Sequence, residues 1–441
     1  MNSHSETNIL ELLPLEIIEE IATELDYKSL LFFSRSSSNL ISLCRNTYIL
    51  KKIIRKKGYW KDLSQTELTK LRFLCKLLGY KDHLPGKVNI IGVISYDEKE
   101  VADPSSHPEL RDIVQVSFGH CHMLCLNSKG EVYGFGRNDM GQLGLGDEQT
   151  VYKPSLILSN IVQVLASYHY SLCIRDDGCV YGFGINSYGQ LGFEERFVRY
   201  TPELIPNFEN IRQVVGCKEF SVFLTKTGQV YVARPNTPDE VCRYGVNKPI
   251  HVESLNNIVQ VSCGQSQCLC LTDEGQVYAF GNSIINIDKQ RHCNFQRNPG
   301  LVPVLKNIVQ VSCGAHHSLC LRDDGRVYAF GENGYGQLGL GNYKFRRGPK
   351  LIPRLYNIIQ VSGGNERSLC LTKDGQVYIF GHTHYHKLGS DGQLIYDSIV
   401  YKHNTIKSPV PIIIPNMNNI IEVFCGEGYD VVIKLNFESA L

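Results

Sequence analysis

The dominant pattern along the chain is a short apolar string interrupted by one polar residue, Ile-Val-Gln-Val, which recurs at regular intervals. Its third residue is Gln115, Gln163, Gln213, Gln260, Gln310, Gln360 and, as a glutamate, Glu422. The first five intervals are 47–50 residues long and the last is 62. Self-similarity at such a period indicates a repeat architecture in which each unit is one small group of strands.

A second apolar string, Val-Tyr, keeps step with the first and follows a tight-turn signal. Asp177-Gly178, Asp324-Gly325 and Asp374-Gly375 each separate two apolar runs, which is a strong hairpin signal because glycine tolerates the positive φ of the turn. In Val-Tyr-Ala-Phe-Gly at 327–331, successive positions are all apolar, so both faces of the strand are expected to be buried. Each repeat is therefore predicted to form four short strands, the last one near a proline.

Four short strands in about 50 residues, packed on both faces, are typical of one blade of a β-propeller. The ends of the chain favour a closed ring over a linear solenoid. The last repeat supplies a first and a second strand and stops near residue 435, while 86–92 resembles a third-strand string. We therefore predict a mainly β fold, with a seven-bladed propeller over residues 87–441 whose ring is closed by the N- and C-terminal strands.

Three strings point to one propeller family: Cys313–Gly341, Gly134–Gly146 and Gly182–Gly192. Their Gly-Gln-Leu-Gly loops and the Cys-Gly-x-x-His element resemble the regulator of chromosome condensation family, over roughly 350 residues. WD and kelch repeats call for a recurrent tryptophan, and the chain has one Trp. The repeats near 231–250 and 278–300 lack Gly-Gln-Leu-Gly, so their loops have diverged.

The first 86 residues have a different, helical pattern. Pro14 stands early in a predicted helix, where its missing N–H costs nothing, and an apolar stripe follows at helical spacing. The Leu-Pro-x-Glu-Ile start and the spacings after it resemble an F-box, which implies binding of a Skp-type adaptor. The resemblance assigns that contact to Leu13, Pro14, Ile17, Ile18, Ile21, Leu25 and Leu30. We expect an F-box-like α-helical module at 1–55 and a linker helix at 56–86, where Ser64 and Glu67 have capping-box spacing.

Composition narrows the choice of partners and compartment. The chain has 45 Lys+Arg and 44 Asp+Glu, so its net charge is +1. We therefore do not expect its main role to be the coating of nucleic acid or of an anionic membrane. The N-terminus lacks the basic region of a signal peptide, and no apolar run approaches the roughly 20 residues of a membrane span. Sixteen Cys, many at one repeat position and none in a CxxC pair, predict free thiols and a cytoplasmic or nuclear location.

Two groups of residues are candidates for a chemical site. His122, Tyr170, Phe220, Gln267, His317 and Arg367 occupy one equivalent position, which predicts a structural role such as bonding a neighbouring loop. His382, His384, His386 and His403 lie in the longest repeat. They could bind zinc from one face of a strand, but a solvated loop is the expectation. We therefore predict no catalytic residue, no metal and no cofactor, and a protein that is not an enzyme.

Three functions remain from the sequence. The F-box resemblance implies a substrate-recognition adaptor of a Skp–cullin–F-box ubiquitin ligase, with a target protein on the propeller face. The propeller could instead be an interaction protein for chromatin or a small GTPase. The family's namesake is a guanine-nucleotide exchange factor whose activity uses a hairpin wedge and acidic loop residues. The insertion here, within about 382–411, has no clustered acids.

Overall fold

The computed structural model consists of short antiparallel sheets. It describes residues 86–91, 95–96, 99–100, 110, 113–206, 208–233, 249–265, 267–281, 296–383, 406–414, 420–425 and 430–435. These fall mainly in the larger of the two compact units of the chain, Pro85–Thr372 with Gln376–Leu441. No α-helix occurs within these described ranges. The predicted helical module at 1–55 and all but the last residue of the predicted linker helix at 56–86 lie outside them.

The strands follow one another in the order that the repeats predict. The N-terminal strands are β1 (Gly86–Ile91), β2 (Ser95–Tyr96) and β3 (Lys99–Glu100). Blade 1 comprises β4 (Ile113–Phe118), β5 (His122–Asn127), β6 (Val132–Gly136) and β7 (Val151–Leu158). Blade 2 comprises β8 (Ile161–Ser167), β9 (Tyr170–Arg175), β10 (Val180–Gly184) and β11 (Arg199–Leu204). Blade 3 comprises β12 (Ile211–Gly216), β13 (Ser221–Thr225), β14 (Val230–Ala233) and β15 (Ile250–His251).

The second half of the chain repeats this plan. Blade 4 comprises β16 (Ile258–Cys263), β17 (Gln267–Thr272), β18 (Val277–Gly281) and β19 (Gln296–Leu301). Blade 5 comprises β20 (Ile308–Cys313), β21 (His317–Arg322), β22 (Val327–Gly331) and β23 (Arg346–Leu351). Blade 6 comprises β24 (Ile358–Gly363), β25 (Arg367–Thr372), β26 (Val377–Thr383) and β27 (Ile406–Ile413). The last strands are β28 (Ile420–Cys425) and β29 (Asp430–Leu435).

Among the described residues, six sheets have four strands, and each runs in simple first-to-fourth order. A further sheet has the order β1-β29-β28, so that a strand from near the start of the propeller sequence pairs with the last one. The register of this pair runs from Gly86↔Leu435 to Ile91↔Asp430. The prediction of a mainly β propeller is confirmed, whereas the count of seven blades stays a prediction.

Local sequence explains the turns within and between blades. Arg175 N–H donates to Cys179 O (2.8 Å) and Gly178 N–H donates to Arg175 O (3.0 Å), which is the short hairpin that Asp-Gly predicts. Gly178 has φ +89°, and a Cβ there would lie 2.8 Å from the Cα of Asn210. Each such turn therefore packs against the connection to the next blade.

The connections between blades use left-handed asparagines. The residue just before a first strand has φ between 56° and 62° at Asn160, Asn210, Asn257, Asn307 and Asn357. Asparagine tolerates this conformation better than most residues with a Cβ. The recurrent Asn-Ile dipeptide in the sequence is the local signal for these bends.

The repeated glutamine joins the first strands of neighbouring blades. Gln115 Nε2 donates to Val164 O (3.0 Å), and Val164 N–H donates to Gln115 Oε1 (3.0 Å). The side chain thus pairs with backbone as a further strand would. The same two bonds join Gln163 to Val214, Gln213 to Val261, Gln260 to Val311, Gln310 to Val361 and Gln360 to Val423. The first strands therefore neighbour one another along the chain of blades, and the core lies between successive sheets.

Candidate protein-interaction face of the propeller

One edge of the propeller carries the loops that vary most in chemistry. Because consecutive strands are antiparallel, the connections from first to second strand and from third to fourth strand emerge at the same edge of each sheet. We call this edge the loop face. The opposite edge, formed by the Asp-Gly turns and the connections between blades, is called the turn face.

A buried relay beneath the loop face joins blades 1 and 2. Ser171 Oγ lies 2.8 Å from Gln142 O and 3.0 Å from His122 Nε2. A carbonyl oxygen can only accept, so the Ser171 hydroxyl donates to Gln142 O and accepts from His122 Nε2–H. Blades 5 and 6 repeat the relay with His317 Nε2, Ser368 Oγ and Gln337 O, at 2.8 and 2.9 Å.

The relay requires uncharged imidazoles. His122 and His317 are 2% and 0% exposed, and burial lowers the pKa of each to about 3. Neighbouring histidines, His169 and His120 for one and His316 for the other, act in the same direction. Both residues are therefore neutral at physiological pH, with the proton on Nε2.

The other blades use different side chains at this position. Tyr170 OH lies 2.8 Å from Ser221 Oγ, and Gln267 Nε2 donates to Ser318 Oγ at 3.1 Å. Phe220 and Cys268 instead belong to one apolar cluster. The repeat comparison predicts a structural role for this position, and these contacts confirm it for all of the residues named here.

The Gly-Gln-Leu-Gly loops are also structural. Asn138 Oδ1 accepts from Leu143 N–H (2.8 Å), and Asn138 Nδ2 donates to Asp147 O (2.8 Å), which closes the loop. Gly141 has φ +67°, and a Cβ there would lie 2.9 Å from the Cα of Tyr200 in the next blade. The family motifs therefore hold blades together.

The two residues just before the relay position lie at the loop face, and most of them are partly or fully exposed. In blades 1, 2, 3, 5 and 6 these pairs are His120-Cys121, Tyr168-His169, Lys218-Glu219, Ala315-His316 and Asn365-Glu366. The side chains touch from blade to blade in the first half. The His120 and Tyr168 rings are 4.8 Å apart, and Lys218 Nζ lies 4.9 Å from the centre of the Tyr168 ring. We call His120, Tyr168, His169 and Lys218 the aromatic-basic row.

A second polar group lies on the same face at blades 5 and 6. His382 Nδ1 is 2.8 Å from Glu366 Oε2, and its ring stacks on Tyr335 with centroids 5.0 Å apart. Lys407 Nζ lies 4.5 Å from the centre of the Tyr335 ring. The expectation of a solvated loop is wrong for His382, because β26 extends through it and a carboxylate holds its ring.

The remaining candidate residues lie only partly within the described ranges. His384, His386 and His403 lie outside the described residues. Within the described ranges, no group of three or more His, Cys, Asp or Glu side chains could hold a metal ion. Burial raises the pKa of Cys125 to about 12 and also raises the pKa of Cys173, Cys320 and Cys370. No helix in the part of the chain that is described is long and apolar enough to cross a membrane.

The predicted adaptor-binding residues, Leu13, Pro14, Ile17, Ile18, Ile21, Leu25 and Leu30, lie outside the described residues. The structure therefore leaves that assignment as a prediction. Sequence reasoning missed the relay serines and the left-handed asparagines. Their signals were the recurrent Ser-Leu-Cys-Leu strings and the recurrent Asn-Ile.

Family models match in both parts of the chain. Two models of the regulator of chromosome condensation (RCC1) repeat match, one at residues 113–142, 161–190, 258–283 and 308–337, the other at 129–174, 177–224 and 324–371. The F-box domain model matches residues 10–52. The seven predicted adaptor-binding residues all fall inside that last match.

Curated relatives resemble part of the propeller. The chain is 28% identical over 273 residues to the E3 ubiquitin-protein ligase HERC2 of Homo sapiens, covering 58% of this chain and 5% of that protein. It is 32% identical over 185 residues to the probable E3 ubiquitin-protein ligase HERC6 of Homo sapiens, covering 39% and 13%. The chain therefore corresponds to a small part of the length of these relatives.

Solved structures share the fold at low identity. Prp20p of Saccharomyces cerevisiae superposes with a TM-score of 0.65 at 21% identity, covering 86% of this chain and 96% of that one. Human WBSCR16 superposes with a TM-score of 0.64 at 20% identity, covering 80% of this chain and 99% of that one. Together with the family models, these findings show that the chain is an F-box protein carrying regulator of chromosome condensation repeats on a β-propeller.

Proposed function

We propose that the protein is a substrate-recognition adaptor of a Skp–cullin–F-box ubiquitin ligase. The F-box binds the Skp-type adaptor, and the loop face of the propeller binds the target. The observation that carries this proposal is the F-box sequence match at residues 10–52, which is followed along the chain by a propeller with displayed side chains on one face. In this role the chain itself performs no covalent chemistry. It acts by holding the target beside a ubiquitin-charged enzyme, which raises the effective concentration of the target at that enzyme.

The displayed pairs support target binding at the loop face. Tyr, Arg and other residues that combine an apolar body with a polar tip are enriched in protein interfaces. The aromatic-basic row has this character, and burial with the nearby His120 and Arg137 lowers the pKa of His169. His169 is therefore mainly neutral near pH 7, and Lys218 is the exposed cation of the row.

The ubiquitin pathway is also named in the curated relatives, which are ubiquitin ligases. Their resemblance to this chain is confined to a small fraction of their length. It supports the proposed pathway without assigning their catalytic activity to this protein.

The decisive test is complex formation with a Skp-type adaptor. The full chain, co-expressed with the adaptor, should elute with it in size-exclusion chromatography. A double variant, Ile17→Asp with Ile21→Asp, places charges in the proposed apolar stripe and should abolish co-elution. The proposal would be contradicted if the wild-type chain and the double variant both co-eluted with the adaptor. It would also be contradicted if neither co-eluted while the propeller remained folded by circular dichroism.

The alternative is a propeller that acts without a ligase. Prp20p of Saccharomyces cerevisiae, which shares the fold, has binding properties toward Gsp1p and histones. A small GTPase or chromatin is therefore the alternative partner for this chain. An exchange-factor activity would need the insertion within about 382–411, most of which lies outside the described residues. Binding of a small GTPase or histones by the full chain, together with failure of the adaptor test, would favour this alternative.

A further inference from the structure

Blade 4 carries two cysteines that face each other across its first hairpin. Cys263 at the end of β16 pairs directly with Cys268 in β17. Gly264 N–H donates to Gln267 O at 2.8 Å, so residues 264 and 267 form a hydrogen-bonded pair. The next pair, Cys263 and Cys268, is then a non-hydrogen-bonded pair, in which Cα atoms approach to about 4.5 Å. This separation lies within the range that a disulfide spans.

The two thiols are in contact in the structure, and each influences the ionisation of the other. Cys263 is partly exposed at the loop face, whereas Cys268 is buried. The equivalent pairs elsewhere are Phe118–Met123, Ala166–Ser171, Gly216–Ser221, Cys313–Ser318 and Gly363–Ser368. Among these described blades, the dithiol is particular to blade 4.

At the junction between blades 3 and 4, oxidation of the Cys268 thiol would not disrupt a relay between blades. In the relay junctions, the serine at this position is bonded to the preceding blade. Cys268 instead shares an apolar cluster with Phe220 of the preceding blade, and its thiol donates to Leu269 O (3.8 Å) within its own strand. Conversion of the thiol would therefore not break a relay.

We propose that Cys263 and Cys268 form a redox modification site that hydrogen peroxide closes into a disulfide. The Cys263 thiolate attacks a peroxide oxygen. An S–O bond forms, the O–O bond breaks, and water leaves after protonation. The Cys268 thiolate then attacks the Cys263 sulfur, forming the S–S bond and releasing a second water. Two thiols are oxidised, and one peroxide is reduced to two waters.

The reaction is slow at neutral pH, and its pH dependence follows from the surroundings. The titratable groups that act on the ionisation of Cys263 are the thiols of Cys268, Cys217, Cys313 and Cys270, and burial raises the pKa of Cys263 to about 12. Because the thiolate is the nucleophile, the rate should rise about tenfold per pH unit between pH 7 and 9. The disulfide would fix the hairpin whose Gln265 N–H bonds Ala315 O (3.0 Å) at the loop face.

The test uses the full chain in its folded state with hydrogen peroxide as the probe. After quenching with an alkylating agent, mass spectrometry of the peptide holding both cysteines should show loss of two hydrogens and no alkylation at 263 or 268. The Cys270→Ser variant should keep this product. The pair Cys263→Ala with Cys268→Ala, which keeps apolar side chains in the cluster with Phe220, should lose it and remain folded.

Cys313 provides an internal control, because it occupies in blade 5 the position equivalent to Cys263 and its strand partner is Ser318 instead of a cysteine. It should give no intrachain disulfide under the same treatment. Disulfide formation only in denatured protein, or a Cys268–Cys270 product that survives Cys263→Ala, would overturn the proposal.

Discussion

The junction between blades 5 and 6 and the junction between blades 3 and 4 have the same backbone arrangement but opposite chemistry. In the former, His317 donates to Ser368, which donates to the Gln337 carbonyl. In the latter, Phe220 packs beside Cys268. The difference shows that a junction needs matched partners rather than a particular residue. A buried polar group is tolerated where its partner lies across the junction, and an apolar one where the partner is apolar.

The apolar junction should be the more sensitive to loss of volume. Phe220→Ala removes a ring that is 4% exposed and leaves a cavity at the junction. We expect a loss of about 3–5 kcal/mol in the free energy of unfolding. Chemical denaturation of the full chain measures this loss. A loss below about 1 kcal/mol would show that neighbouring side chains close the cavity.

The polar junctions should instead be sensitive to acid. His122 and His317 have pKa values of about 3 in the folded protein, against about 6.5 when unfolded. The unfolded state binds protons more readily than the folded state. The contribution of these histidines to the free energy of unfolding is therefore fully present above about pH 6.5 and decreases as the pH drops toward 3. At pH 5 each histidine should lower the free energy of unfolding by about 2 kcal/mol relative to pH 8.

A matched replacement isolates this acid effect. Gln267 occupies the same position in blade 4 and bonds Ser318, so glutamine keeps the junction but does not titrate. His122→Gln with His317→Gln should flatten the dependence of unfolding free energy on pH between 5 and 8. An unchanged slope in this double variant would assign the acid sensitivity to other groups.

The loop glycine tests how tightly a relay is packed. A Cβ at Gly314 would lie 2.1 Å from His317 Cε1 and 2.4 Å from Gly364 O. Gly314→Ala should therefore cost about 1–3 kcal/mol through overpacking. Gly334 has nothing within 4 Å of a Cβ, so Gly334→Ala should change unfolding free energy by less than about 0.5 kcal/mol. Equal effects at both positions in thermal denaturation would contradict this packing argument.

A double-mutant cycle tests the matching itself. His317→Phe and Ser368→Cys each leave a mismatched partner, at a cost of about 1–3 kcal/mol. Together they copy the Phe220–Cys268 junction, so the double variant should be more stable than the sum of the singles predicts, by about 1 kcal/mol. Strict additivity in denaturant unfolding would show that the two sides do not couple.

The smallest effect on stability is expected at the displayed residues. Tyr168→Ala and Lys218→Ala should change unfolding free energy by less than about 0.5 kcal/mol while weakening binding of the target. Arg326 and Tyr356 form a similar cation–aromatic pair on the turn face, 5.8 Å apart, and provide the matched control. Quantitative proteomics of proteins bound to each variant should show partners lost from the loop-face variants and retained by Tyr356→Ala. The reverse pattern would assign binding to the turn face.

The sequence by itself determined the repeat, the strand order, the Asp-Gly hairpins and the F-box match. These are properties of short strings, because turn chemistry and strand patterning act over a few residues. The free thiols of the second strands, such as Cys125 and Cys320, followed from the same register. The recurrent glutamine was visible as a marker, but its bonds to the next blade were not.

Only the tertiary structure decided which repeated residues bind across a junction and which face solvent. Ser171 and His122 are 49 positions apart, and nothing within either repeat shows that the two meet. The pairing of Phe220 with Cys268, the contact of His382 with Glu366 and the meeting of His120 with Tyr168 depend in the same way on how sheets lie side by side. The physical reason is that hydrogen bonds and close packing act over a few ångströms, whereas the repeat separates the partners by a whole blade of sequence.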